Sequence, residues 1–302
     1  MNKSRSNKWL VYALVTTLFW GIWGALIEIP EKNGFPATLG FSVWAVTMLI
    51  PAFFGLKSIH WRISFSRKSV IFGLIIGFAG AGGQLILFTN ALMLGPAYLV
   101  FPIISLSPVI TILLSVIILK ERTNWIVWCG IVLALVAIPL LSYVEKEATG
   151  PGNLLWLFFA LIVFVAWGVQ AFFIKLANET MKAGEIFFYM MLTGVLLIPV
   201  AILMTDFTVE INYEFSGMYL AGIIQLLNAL GALFLVYAFR YGKAIIVSPL
   251  TNAAAPLITV LLSLIIYRHI PNNYVISGIV VALLATLIIA VGEEIKTVNN
   301  KK

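Results

Sequence analysis

"PVITILLSVII" fills Pro108–Ile118, and "PLITVLLSLII" fills Pro256–Ile266, 148 positions later. The likeness runs without a gap from Pro108–Leu135 to Pro256–Leu283, with 15 of 28 positions identical. Gly130 falls opposite Gly278, and Ala134 opposite Ala282. Upstream the offset is 147: Pro102 answers Pro249, Gly95 answers Gly242, and Trp20-Gly21 answers Trp167-Gly168. The chain therefore reads as two copies of one unit, residues 1–147 and 148–302.

Composition says what each copy is made of. The chain is 62% hydrophobic and 10% charged, whereas about a quarter of a typical soluble sequence is charged. The apolar residues form long runs, and a bilayer-spanning helix needs about 20 of them. Ten spans are predicted: Trp9–Ile27, Ala37–Leu56, Ser69–Thr89, Pro96–Leu119, Asn124–Val144, Asn153–Ile174, Gly184–Met204, Gly217–Phe239, Ala244–Tyr267 and Tyr274–Gly292. The runs are continuously apolar and do not alternate, so helices are expected and not barrel strands. The first run follows Lys3, Arg5 and Lys8 as a signal peptide would. It is long and leads into Glu28 without an A-x-A cleavage site, so it is expected to remain as the first helix.

Lys and Arg in the breaks between spans set the orientation. The two tails and the even-numbered loops hold 16 of them, and the odd-numbered loops hold only Lys32, Lys146 and Arg268. Both termini are therefore expected in the cytoplasm, and the positive net charge needs no nucleic acid to explain it. Five helices per copy is an odd number, so the second copy must enter the membrane from the opposite side. The expected fold is an all-α membrane protein of ten transmembrane helices in two inverted five-helix repeats. Inverted repeats are a common architecture of secondary transporters, with the solute site near the midplane between them. Some channels share it. Cys129 is the only cysteine, so no internal disulfide can form.

Several features carry a family resemblance. Phe19-Trp20-Gly21 in the first span is echoed by Ala166-Trp167-Gly168 in the sixth. "GPAYLVFPIISLSPVITILLSVIILKER" (Gly95–Arg122) carries a proline-bearing fourth span ending in Lys120-Glu121-Arg122. With ten spans in two halves, the chain resembles the EamA-domain branch of the drug/metabolite transporter superfamily. The resemblance implies the EamA-type fold and transport as the activity. Its solutes range over amino acids, sugars, nucleotide sugars, purines and drugs. The second copy departs from the acidic turn with Arg268-His269-Ile270. The small multidrug-resistance branch relies on a membrane-embedded Glu in its first helix, and Trp9–Ile27 has no acidic residue. Glu28 and its counterpart Lys175 read as interfacial.

Polar side chains at bilayer depth are costly and usually face a partner or a cavity. Trp20 and Trp23 share a helical face, as do their counterparts Trp167 and Gln170, and the two pairs are expected to flank a central cavity. Gln84 in the third span, and Gln225 with Asn228 in the eighth, can donate and accept hydrogen bonds. These amides suit a solute site or interhelical packing alike. Pro102 and Pro108 in the fourth span, and Pro249 and Pro256 in the ninth, are expected to kink or gate their helices. Ser105 and Asn252 lie between them as lining, and Tyr98 is expected to cap the cavity. The glycines Gly73 to Gly83 read as helix-packing residues.

No Walker loop, G-x-S-x-G, H-E-x-x-H or intramembrane carboxylate pair is present, so ATP hydrolysis and enzyme chemistry are not expected. No cofactor or metal is expected. The partners are a small-molecule solute and membrane lipid, with no nucleic acid, and a monomer is possible. A bacterial cytoplasmic (inner) membrane is the expected location. The expected activity is alternating-access transport of a small polar or amphipathic metabolite, by export or facilitated exchange. Amino acid-like solutes come first and sugars second, with a channel-like pore as a further alternative.

Overall fold

The computed structural model describes residues 8–118, 120, 124–141, 154–241, 244–267 and 272–299. Within these the fold is an all-α bundle. Helix α1 is Lys8–Leu26, followed by a short turn at Ile29–Lys32. Helix α2 runs Ala37–Thr47 and Leu49–Ser58, α3 runs Arg67–Ile86 and through a π-turn at Leu87–Ala91 to Leu92–Leu94, and α4 is Ala97–Ile104 and Pro108–Ile118. Then come α5 (Trp125–Leu141), α6 (Leu155–Ala177) and α7 (Ala183–Leu196 and Ile198–Leu203). Helix α8 opens with a π-turn at Phe215–Tyr219 and continues Leu220–Tyr241, α9 is Ala244–Tyr267 and α10 is Asn273–Asn299. By length and composition 7 of these are apolar enough to cross a membrane, and the apolar described parts of α5, α9 and α10 are shorter.

The breaks have local causes. Pro51 and Pro199 have no N–H to give the preceding turn, and the helix is interrupted at Met48 and at Leu197 just before them. Equivalent caps start α5 and α10: Asn124 Oδ1 accepts from Val127 N at 2.9 Å, and Asn272 Oδ1 from Val275 N at 2.9 Å.

Packing repeats as well. Helix α1 lies against α8 and α9, as α6 lies against α3 and α4. Helix α5 packs on α10, and α2 on α7. The close approaches need glycine. A Cβ on Gly21 would stand 2.5 Å from Ile258 Cβ, and one on Gly168 would stand 2.5 Å from Ile110 Cβ. Beside each glycine a threonine hydroxyl binds a carbonyl: Thr259 Oγ1 donates to Gly21 O at 3.1 Å and Thr111 Oγ1 to Gly168 O at 2.9 Å. These contacts bury a core that includes Phe41, Trp156, Phe172 and Phe187. The outer surface is strongly apolar, with Leu203 86%, Ile265 72% and Ile117 70% exposed. A contiguous apolar exterior on this scale suits lipid, not water.

Candidate functional site

The central cavity has a volume of about 100 Å³. Its walls come from both halves: Trp20 and Trp23 of α1, Trp44 of α2, Gln84 of α3, Phe101 and Ser105 of α4. From the second half come Trp167 and Gln170 of α6, Met190 of α7, Asn228 of α8, and Thr251 and Thr259 of α9.

Small residues admit the aromatic walls. Gly231 lets Trp20 approach, where a Cβ would stand 2.6 Å from the indole Nε1, and Gly83 does the same for Trp167 at 2.8 Å. Gly80 takes the Gln170 amide against its backbone. Trp20 Nε1 donates to the Asn228 carbonyl at 3.3 Å, and Trp23 packs edge-on to Phe101 with ring centroids 5.5 Å apart.

Among the described residues the lining carries no Lys, Arg, Asp or Glu. Its polarity comes from indoles, amides and hydroxyls. Trp44 Nε1, Gln84 Nε2 and Asn228 Nδ2 are buried with no acceptor among the described residues, and each such donor costs about 1–3 kcal/mol if left unmade. Among the described residues no group of His, Cys, Asp and Glu could hold a metal ion.

Of the residues singled out in the sequence, Trp20, Trp23, Gln84, Ser105, Trp167, Gln170 and Asn228 border this cavity, and Tyr98 and Gln225 do not. Gln225 lies behind Trp23, whose indole it holds at 3.0 Å. The side chains of Asn252, Pro249 and Pro256 lie outside the described residues. Pro102 and Pro108 bracket a true break in α4, where Ser105 Oγ donates to the Pro102 carbonyl at 2.6 Å. Helix α9, by contrast, is continuous past Pro249 and Pro256. Pro249 and Pro256 are seven residues apart, close to two full turns. Pro102 and Pro108 are six apart, and the chain between them tightens through bonds such as Leu106 N to Ile103 O at 3.1 Å.

Glu28 is not merely interfacial. It is 9% exposed, and its Oε1 accepts from Ala97 N at 2.6 Å while Oε2 pairs with Lys32 at 2.7 Å. It thus caps the N-terminus of α4 from the end of α1. Lys175, its positional counterpart, instead reaches the Ser115 hydroxyl at 3.5 Å. Glu185 accepts from Ser64 N at 3.2 Å. Glu28 and Glu185 thus hold different backbone N–H groups, Ala97 and Ser64. Sequence reasoning missed Trp44, Phe101 and Met190; only Trp44 left a signal, as a tryptophan in mid-span away from either membrane face.

A solved structure described only as "Crystal structure of protein" superposes with a TM-score of 0.66 over 92% of this chain and 95% of its own, at 14% identity. That likeness concerns the fold alone. No curated protein matches in sequence. The profile of the EamA-like transporter family matches twice, at residues 7–143 and again at 154–291. With both halves matched, and a neutral cavity between them inside an apolar bundle, the chain belongs to the EamA-like transporter family and is a multi-pass membrane transporter, not an enzyme.

Proposed function

We propose that the chain carries a small polar or amphipathic metabolite across the bilayer by alternating access, with the central cavity as the solute site. The carrying observation is that one cavity is bounded by equivalent helices of both halves: α1, α3 and α4 from the first, α6, α8 and α9 from the second. In this reading residues 1–147 and 148–302 are inverted copies. The recurrence of the Thr259–Gly21 bond as Thr111–Gly168 supports that reading. The charge bias of 16 to 3 supports cytoplasmic termini, in a bacterial cytoplasmic membrane.

Aromatic walls with neutral amides favour an amino acid-like solute. A lining without a carboxylate favours movement down a substrate gradient, by export or exchange, over proton-driven pumping. Sugars are the second reading, because indole faces and amides also suit a sugar ring. The test is counterflow in proteoliposomes loaded with unlabelled amino acids or sugars. Saturable uptake of one labelled class is expected. Unsaturable leak of many solutes would replace the carrier with a channel.

A further inference from the structure

Toward the end of the bundle where α1 turns into α2 lies a second cavity, of about 10 Å³. Ile27, Phe88, Leu92, Ala221 and Gln225 border it. The repeat shows what it corresponds to. Ile27 and Leu92 answer Ile174 and Phe239 at the offset of 147, and Gln225 answers Gly77 at the offset of 148 that Gly83 and Gly231 share. Ile174, Phe239 and Gly77 all border the central cavity. At one end of the bundle these positions belong to the central cavity, and at the other their equivalents enclose a small separate space.

The difference has a local cause. Trp23 borders the central cavity and Gln225 the small one, and the indole Nε1 donates to Gln225 Oε1 at 3.0 Å. The bonded pair stands between the two spaces. At the other end the equivalent positions are Gln170 and Gly77. Glycine has no side chain to reach across, so that partition has no counterpart there.

On the surface beyond the small cavity the two halves are clasped. Asn212 N donates to Gly34 O at 3.0 Å, Asn212 Nδ2 to Asn33 O at 2.8 Å, and Asn33 Nδ2 to Ser216 O at 3.1 Å. Asn33 and Gly34 follow α1, Asn212 precedes α8, and Ser216 lies in its opening π-turn. The side-chain bonds of the clasp are exposed, so water can replace each as it breaks and no buried group is stranded. We infer that the small cavity is a closed arm of the solute path. The Trp23–Gln225 pair gates it from the central cavity, the Asn33–Asn212 clasp gates it from the surface, and both part when the carrier turns to that end. The inference deepens the transport reading above and rests on it.

A Cβ on Gly34 would stand 3.6 Å from Asn212 Cβ, inside the roughly 3.5–4.5 Å that a disulfide spans. Gly34→Cys with Asn212→Cys, in a Cys129→Ser background, therefore lets oxidant lock the clasp and reductant release it. Oxidation is expected to lower the counterflow rate in proteoliposomes at least about tenfold, and reductant to restore it. The two single-cysteine variants control for the positive φ of Gly34 and the lost Asn212 amide, and neither should respond to oxidant. Full counterflow through the cross-linked protein overturns the inference. Should the pair fail to fold, Asn33→Cys with Ser216→Cys, joined by a short bismaleimide, repeats this measurement.

A second readout does not use transport. Ala221 is 1% exposed and borders the small cavity. In the purified full-length protein, Ala221→Cys in the same Cys129→Ser background should react with a water-soluble maleimide as the clasp opens. Cross-linking Gly34→Cys to Asn212→Cys beforehand should slow that reaction at least about tenfold. No reaction, or a rate that the cross-link leaves unchanged, overturns the inference. The expected labelling without counterflow in the parent protein would keep the gated passage and remove the transport reading.

Discussion

Trp23 of α1 donates its indole N–H to Gln225 Oε1 of α8 across 3.0 Å, and both side chains are buried. The bond ties the two halves together directly behind the cavity wall. Gln225→Leu strands the indole N–H at a cost of about 1–3 kcal/mol and untethers the ring that packs on Phe101. Transport should fall about tenfold, as a loss of that size allows. Gln225→Glu keeps an acceptor and should retain more activity than Gln225→Leu. Initial counterflow rates of the purified variants, beside their melting temperatures, decide it. A fully active Gln225→Leu would show that Trp23 needs no tether.

Gly184 of α7 and Gly82 of α3 form a matched pair. A Cβ on Gly184 would run into the Gly55 carbonyl of α2, which is backbone and cannot swing aside, whereas Gly82 has nothing within 4 Å. Gly184→Ala should destabilise by about 1–3 kcal/mol through overpacking. Gly82→Ala should be neutral or slightly stabilising, since alanine is the better helix former. Melting temperatures in one detergent compare the two directly, and equal values would mean that α2 and α7 are not in close contact.

The Glu28 cap gives a graded series. Glu28→Ala leaves the Ala97 N–H without its acceptor, a loss of about 1–3 kcal/mol. Glu28→Gln keeps an acceptor and loses the ion pair with half-exposed Lys32, so it should lie between wild type and alanine. Differential scanning fluorimetry orders the three, and a glutamine variant as unstable as alanine would assign the whole effect to charge.

Cys129 is exposed on α5 among Trp125, Trp128 and Val132, which are also exposed. That face is apolar, so it is expected to lie in lipid, beyond the reach of a water-soluble reagent. In proteoliposomes a membrane-impermeant maleimide should leave the protein unmodified, while the same reagent after denaturation in SDS should add one label. Mass spectrometry reads both, and rapid labelling of the intact protein would place this face in water.

The helices were legible because length and apolarity are properties of runs, and Pro108–Ile118 against Pro256–Ile266 made the duplication visible. The aromatic part of the cavity was legible because Trp20 and Trp167 sit in mid-span, where interfacial anchoring cannot explain them. What the sequence hid was orientation within a helix. Gln225 and Asn228 lie three residues apart on α8, yet one serves the wall and the other stands behind Trp23. Side-chain spacing assigns residues to a helix face, and a single face can be wide enough to meet both a cavity and a neighbouring helix. The cap made by Glu28 was hidden for a related reason. Its partner is the Ala97 backbone, 69 positions away, and a backbone N–H leaves no mark in a residue pattern.

The π-turn at Leu87–Ala91 absorbs one residue. Gly83 and Gly231, which receive Trp167 and Trp20, stand 148 apart, while Gly95 and Gly242 beyond the turn stand 147 apart. The extra residue thus belongs to α3 and has no equivalent in α8, which is regular over that stretch. Two identical halves trading places would leave a carrier indifferent to which way it faced. In the exchange proposed above, the π-turn gives α3 a step that α8 does not share, so the two end states are expected to differ.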